Sequence, residues 1–178
     1  MIGVIEATDQ ETHQIINVEF HDKSLHRGYY FQDHNKFHLA SLGPRGALYV
    51  CAPDGQHLAI VNYRPYDTWA SSAEWQVSLP VGESAIAVCA GGAPYRKGKG
   101  SGDDDDDEDS AGPSDAGGAG HVIVATSSGT IRFWLGTGVQ TYIWHIGGEV
   151  VAMEAGAEWL FVVHREGGTS LDGMSDYS

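Results

Sequence analysis

Short runs of β-branched, aromatic and aliphatic residues recur along the chain, separated by clusters of turn-forming residues. They predict strands at Ile15–Phe20, Phe37–Leu42, Ala47–Ala52, His57–Tyr63, Trp75–Leu79 and Ile86–Ala90. Further strands are predicted at His121–Thr126, Thr130–Leu135, Val139–His145, Val150–Ala155 and Trp159–His164. The intervening GPRG, APDG, PVGES, SSG, GTG and GG segments carry the residues that tight turns require. No long stretch places apolar residues at helical spacing between recognisable caps. The predicted class is all-β.

Spacing adds an architecture. Phe37–Leu42, Ile86–Ala90 and Val150–Ala155 each open a group of strands. Phe37 and Ile86 are 49 residues apart; Ile86 and Val150 are 64 apart, or 35 with residues 92–120 set aside. A period near 40 residues with four strands per unit is the mark of propeller blades. The stretch SSGTIRFWLGTG resembles the third strand of a WD-type repeat, although Leu135 follows Trp134 where that repeat has Asp. The expectation is a partial WD-type β-propeller of about three four-stranded antiparallel blades, with residues 1–15 as a lead-in and 16–178 as the propeller.

Residues 92–120 interrupt the pattern between the first and second strands of one blade. The block lacks aliphatic residues other than Ala and contains seven successive acids, Asp103–Asp109. With no core-forming side chains and strong self-repulsion, it reads as a disordered, solvated acidic insertion. A tether for a basic partner is the functional alternative.

Composition narrows the function classes. Ten Lys and Arg face 24 Asp and Glu, a net charge of −14, and the sequence pI is about 4.8. Outside residues 92–120 the charge is −9. Such a balance argues against electrostatic wrapping of duplex DNA or docking on an anionic leaflet, because both need cations against phosphate. Apolar runs are too short to span a bilayer, and the amino terminus lacks a basic and apolar leader pattern. Cys51 and Cys89 lie in strand-like apolar segments and read as buried free thiols. A soluble intracellular protein is expected.

Candidate chemistry is sparse. His21, Asp22, His26, His34 and His38 fall in one window, but their spacings suit no strand face and no helical metal motif. Asp22, Ser24 and His26 have the residue types of a hydrolytic triad, yet triad members converge from distant segments and no GxSxG elbow is present. GGAPYRKGKGSG departs from the phosphate-loop spacing. Trp69, Trp75, Trp134, Trp144 and Trp159 could stack bases, but basic residues rarely interleave with them, so core and blade packing is expected for most. No enzyme, metal or cofactor is expected.

Particular residues carry a closer likeness. INVEFHDKSLHR (16–27), FHLASL (37–42), YDTWASSAEWQVSLP (66–80), VATSSGTIRFWLGTGVQ (124–140) and GGEVVAMEAGAEWLFVVHREGG (147–168) occur in that order. This resembles the middle region, or SepB propeller, of the minichromosome-loss and chromosome-transmission-fidelity replisome adaptors, the family of the acidic nucleoplasmic DNA-binding protein. The likeness covers about residues 16–172 apart from the insertion. It departs at GGEV, where a Pro-containing turn is expected, and at HREGGTSLDG.

The resemblance implies a six-bladed propeller followed by a helical bundle, assembled as a homotrimer. It implies an adaptor that links the GINS part of the replicative helicase to DNA polymerase α in replication, repair and sister-chromatid cohesion. It also implies nuclear localisation and chromatin association. The framework positions it marks are Val18, Glu19, Phe20, His21, Asp22, Trp69, Trp75, His164 and Arg165; client-binding positions are expected outside this chain. Six blades need roughly 240 residues, so the chain is expected to be partial. The alternative is a WD-type interaction module outside replication.

Overall fold

The computed structural model describes residues 2–24, 26–66, 74–93 and 120–166. They form thirteen strands. These are β1 (Gly3–Asp9), β2 (Gln14–Phe20), β3 (Tyr29–Asp33), β4 (Phe37–Leu42), β5 (Gly46–Cys51), β6 (Ile60–Pro65) and β7 (Trp75–Ser78), followed by β8 (Ala85–Gly91), β9 (His121–Thr126), β10 (Thr130–Leu135), β11 (Gln140–His145), β12 (Glu149–Ala155) and β13 (Leu160–Arg165). Every pairing is antiparallel between consecutive strands. The result is four sheets: β1-β2-β3, β4-β5-β6-β7, β8-β9-β10-β11 and β12-β13. The all-β class and the blade-like grouping follow the sequence expectation, and the described sheets do not close into a ring.

The strands predicted to open blades are β4, β8 and β12, and each occupies one edge of its sheet. These three edges lie side by side, with β8 packed against both β4 and β12. Hydrogen bonds fasten them: Ala90 N donates to Ser41 Oγ at 3.1 Å, and Gly92 N donates to the Gly156 carbonyl at 3.1 Å.

Alternation explains the cores. Along β5, Ala47 and Tyr49 enter a core shared with Ile16, Val18 and Phe20. Leu48 and Val50 point the other way, into a core with Val61, Tyr63, Val122, Val124 and Trp134. Along β9, Val122 and Val124 belong to that second core, whereas Ile123 and Ala125 join Cys89, Ile131 and Val150 in a third. A strand with both faces covered reads as a continuous apolar run, as GALYVC and HVIVAT do. Each fully buried aliphatic side chain contributes about 1.5–3 kcal/mol.

Two strands escaped the sequence pattern. β1 lies within the stretch read as a lead-in, and β2 begins at Gln14, so the first sheet starts before residue 16. GVIEATD mixes apolar and polar residues too evenly to signal a strand, but it pairs with β2 along its whole length. β3 is short, and its register with β2 supplies its regularity. The first sheet connects to the second through Asp33, which is buried; its carboxylate accepts the backbone N–H of Asn35 at 2.8 Å and of Phe37 at 2.7 Å.

The long interruption falls where expected. β8 ends at Gly91, β9 begins at His121, and these two residues pair directly. Arg45 Nε donates to the Ala93 carbonyl at 2.7 Å, and Gly136 N donates to the Gly120 carbonyl at 2.7 Å. Gly120 has φ +79°, and a Cβ there would stand 2.6 Å from the Gly91 carbonyl oxygen, so glycine alone suits the position. Residues 94–119, with the acidic run, lie outside the described residues.

Candidate interaction surfaces

The window of histidines divides by strand geometry. The His26 ring packs between Phe20 and Tyr66, at 5.2 and 4.6 Å between centroids. His34 instead faces His13 at 5.5 Å, because β3 ends beside the start of β2. His38 lies on β4 and lines a groove between β1 and β4 together with Ile5, Leu39 and Leu42. Among the described residues, no three His, Cys, Asp or Glu side chains gather as metal ligands would.

Asp22, Ser24 and His26 share one loop. Asp22 Oδ1 accepts the Ser24 hydroxyl at 2.6 Å and the Ser24 backbone N–H at 2.9 Å. This is the local turn geometry of an Asp two residues before its donor. A hydroxyl that donates to a carboxylate, with the His ring packed on aromatics, is arranged as a loop brace.

The framework residues separate by side. Val18 and Phe20 are buried between the first and second sheets, whereas Glu19, His21 and Asp22 are exposed. Trp75 donates its indole N–H to the Gly136 carbonyl at 2.8 Å. Its ring lies 6.5 Å from that of Trp134, so it joins the second sheet to the third. His164 is half-buried and its Nδ1 has no hydrogen-bond partner. Arg165 is exposed and reaches Glu149 at 3.4 Å. Trp69 lies outside the described residues.

Between the first two sheets sits an aromatic cluster. Tyr29 and Tyr49 share a hydroxyl hydrogen bond at 3.0 Å, and the Arg64 guanidinium lies 4.3 Å from the centroid of the Tyr29 ring. Burial pushes the Tyr29, Tyr49 and Tyr66 phenols above the ordinary tyrosine value, so all three stay neutral at physiological pH. Burial likewise pushes the Cys89 thiol up to about 12, the state of an unreactive core cysteine.

The expectation of packing for most tryptophans needs correction. Trp134 is buried, and Trp75 is half-buried beside it. Trp144 is 41% exposed and Trp159 59%. Trp144 belongs to β11, the outermost strand of its sheet, where every residue is exposed, including Tyr142 and Ile143. On β13, Leu160 and Val162 pack inward while Phe161 and Val163 face outward. Among the described residues, β11 and β13 therefore present apolar side chains to solvent. Sequence period could identify these strands but not what covers them. No helix among the described residues is long and apolar enough to cross a membrane.

Comparison with known proteins places this architecture. The family described as "Minichromosome loss protein, Mcl1, middle region" matches residues 1–178. The chain is similar to human "WD repeat and HMG-box DNA-binding protein 1", 27% identical over 172 residues, covering 97% of the chain and 13% of that protein. It is similar to "Minichromosome loss protein 1" of Schizosaccharomyces pombe, 34% identical over 90 residues, covering 49% of the chain and 11% of that protein. It also matches "Protein ENHANCER OF LHP1 1" of Arabidopsis thaliana, 26% identical over 165 residues, 92% of the chain and 14% of that protein. The sequential four-stranded sheets and the match along the whole length agree: this chain belongs to the Mcl1 middle-region family of minichromosome loss proteins.

Proposed function

We propose that the chain is the propeller part of a non-catalytic adaptor acting in eukaryotic DNA replication, nuclear and chromatin-associated. The observation that carries this reading is the family match over all 178 residues. The names of the relatives, which refer to minichromosome loss and to DNA binding, support it. A fold made of sheet faces and turns suits protein contacts better than chemistry, because the polar clusters near His26 and Ser24 brace loops.

The finer reading is a homotrimeric hub in which the complete polypeptide links GINS to DNA polymerase α during replication, repair and sister-chromatid cohesion. In it, Val18, Glu19, Phe20, His21, Asp22, Trp69, Trp75, His164 and Arg165 serve as scaffold positions, and clients bind elsewhere in the polypeptide. The test is affinity capture by the complete protein from nuclear extract, combined with sedimentation analysis. Recovery of GINS and polymerase α by a trimer is the expected result; a monomer that recovers neither overturns the hub.

A second reading is a propeller interaction module outside replication. The Arabidopsis relative favours it, since its name refers to neither chromosome loss nor DNA. Normal replication timing after depletion of the protein would select this reading.

A further inference from the structure

Two turns bring a pair of imidazoles together at one end of the first sheet. The β2–β3 ladder ends at the Gln14–Asp33 pair. His13 and His34 stand one residue beyond it on either strand, with ring centroids 5.5 Å apart and planes tilted by 41°. They belong to different turns, β1–β2 and β3–β4. Strand register produces their approach, and their separation in sequence hides it.

Each imidazole is held by its own turn. The His13 carbonyl accepts the Gln10 N–H at 2.8 Å, and the Thr12 hydroxyl lies 3.0 Å from His13 Nδ1. With that hydroxyl accepting Nδ1–H, the lone pair of His13 resides on Nε2. Such an outer hydrogen bond fixes the tautomer of a metal-binding histidine. On the other side, the buried Asp33 carboxylate accepts the N–H groups of Asn35 and Phe37. Lys36 takes up φ +56° within that turn, so the backbone carrying His34 is tightly folded. His34 is exposed and His13 half-buried, which opens the pair to an ion from solvent.

The spacing suits a shared metal ion. A Zn–N bond of about 2.0–2.1 Å, plus about 1.1 Å from nitrogen to ring centre, sets each centroid about 3.2 Å from the ion. A tetrahedral angle then separates the two centroids by about 5.2 Å, close to the 5.5 Å found. Neutral imidazole is a preferred ligand of zinc and copper, whereas magnesium and calcium take oxygen. No third His, Cys, Asp or Glu joins the pair among the described residues, so water completes the coordination sphere.

We propose that His13 and His34 form a two-histidine site for a late first-row divalent ion such as Zn²⁺, with Thr12 as a positioning residue. The ion clasps the β1–β2 turn to the β3–β4 turn, through which the first sheet enters the second. Two protein ligands make an exchangeable site, so occupancy follows the free metal concentration. The site is independent of any role in replication.

The probe is zinc chloride, titrated calorimetrically into the metal-free 178-residue chain. Excess magnesium chloride is present to occupy the carboxylates of the acidic run at 103–109. One zinc ion per chain is expected, with a melting temperature that rises with zinc concentration. In proton NMR spectra, the ring signals of His13 and His34 should shift while those of the other histidines stay in place. His13→Ala and His34→Ala should each weaken binding about a hundredfold, because a single imidazole loses its chelate partner. Thr12→Val should weaken it about tenfold without altering the metal-free melting temperature, and Thr12→Ser should restore it. His145→Ala, in the third sheet, should change nothing. Absence of zinc binding overturns the proposal, as does binding that survives either histidine substitution or shifts other histidines instead. The ring signals of the parent chain decide the matter if a variant fails to fold.

Discussion

Glu83, in the turn between β7 and β8, accepts two hydrogen bonds from Arg132 on β10, at 2.9 Å from Nη2 and 3.0 Å from Nε. Both side chains are largely withdrawn from solvent, at 13% exposure for Arg132 and 15% for Glu83. The pair ties the entry of the third sheet to its third strand.

Hydrogen bonding from Arg132 holds the Glu83 carboxyl below its ordinary range. A depressed carboxyl contributes stability above its unfolded value of about 4.3, and that contribution is lost as pH falls through the folded value. Glu83→Gln should therefore cost about 1.5–3 kcal/mol at pH 7. The difference from the parent protein should shrink as the solution is acidified below pH ~4. Urea unfolding at several pH values measures it; a penalty that does not change with pH would exclude the ion pair as the cause.

Trp134 fills the core between the second and third sheets, and Trp75 adds a hydrogen bond across the same boundary. Trp134→Ala should cost about 3–5 kcal/mol. Trp75→Phe keeps most of the ring and loses the indole donor, so about 0.5–1.5 kcal/mol is expected. Gly138, at φ +93°, lies against the Trp75 ring, so Gly138→Val should disturb the same contact. Chemical denaturation of the three variants orders them; an undisturbed Trp134→Ala protein would refute the role of this core.

The ends of the long interruption are already joined by the Gly91–His121 pair, and Gly92, Ala93 and Gly120 are anchored to Gly156, Arg45 and Gly136 respectively. Replacing residues 94–119 with an Asn-Gly turn should preserve the fold, since a shorter loop has less closure entropy to lose. A melting temperature equal to or above that of the parent is the expected result. Loss of cooperative unfolding would mean that the acidic block contributes to the fold.

Phe161 and Val163 project from the uncovered face of β13, and Val151 lies exposed on the paired strand β12. Contiguous apolar sheet surface promotes association. Phe161→Glu combined with Val163→Thr should reduce light scattering of the 178-residue chain at high concentration while leaving its melting temperature nearly unchanged. Unaltered scattering would locate the sticky surface elsewhere, with β11 the next to vary.

Much of this architecture is present in local pattern. Alternation and turn residues mark eleven of the thirteen strands, the spacing of Phe37, Ile86 and Val150 marks where three sheets open, and composition marks the acidic interruption. Burial is different. Trp134 and Trp144 sit in similar aromatic strand segments, but β10 lies between two strands and beneath a neighbouring sheet, whereas β11 is an outer edge. GVIEATD carries little strand signal, yet its pairing with β2 makes it a strand, with no second partner among the described residues. The period and the class were legible in local pattern, because side-chain alternation and turn chemistry are properties of neighbouring residues, and the family likeness was carried by ordered motifs such as INVEFHDKSLHR. Which faces are covered, which edge lies open and where Arg132 finds Glu83 were decided only by tertiary structure, because those depend on residues 49 positions apart meeting across sheets.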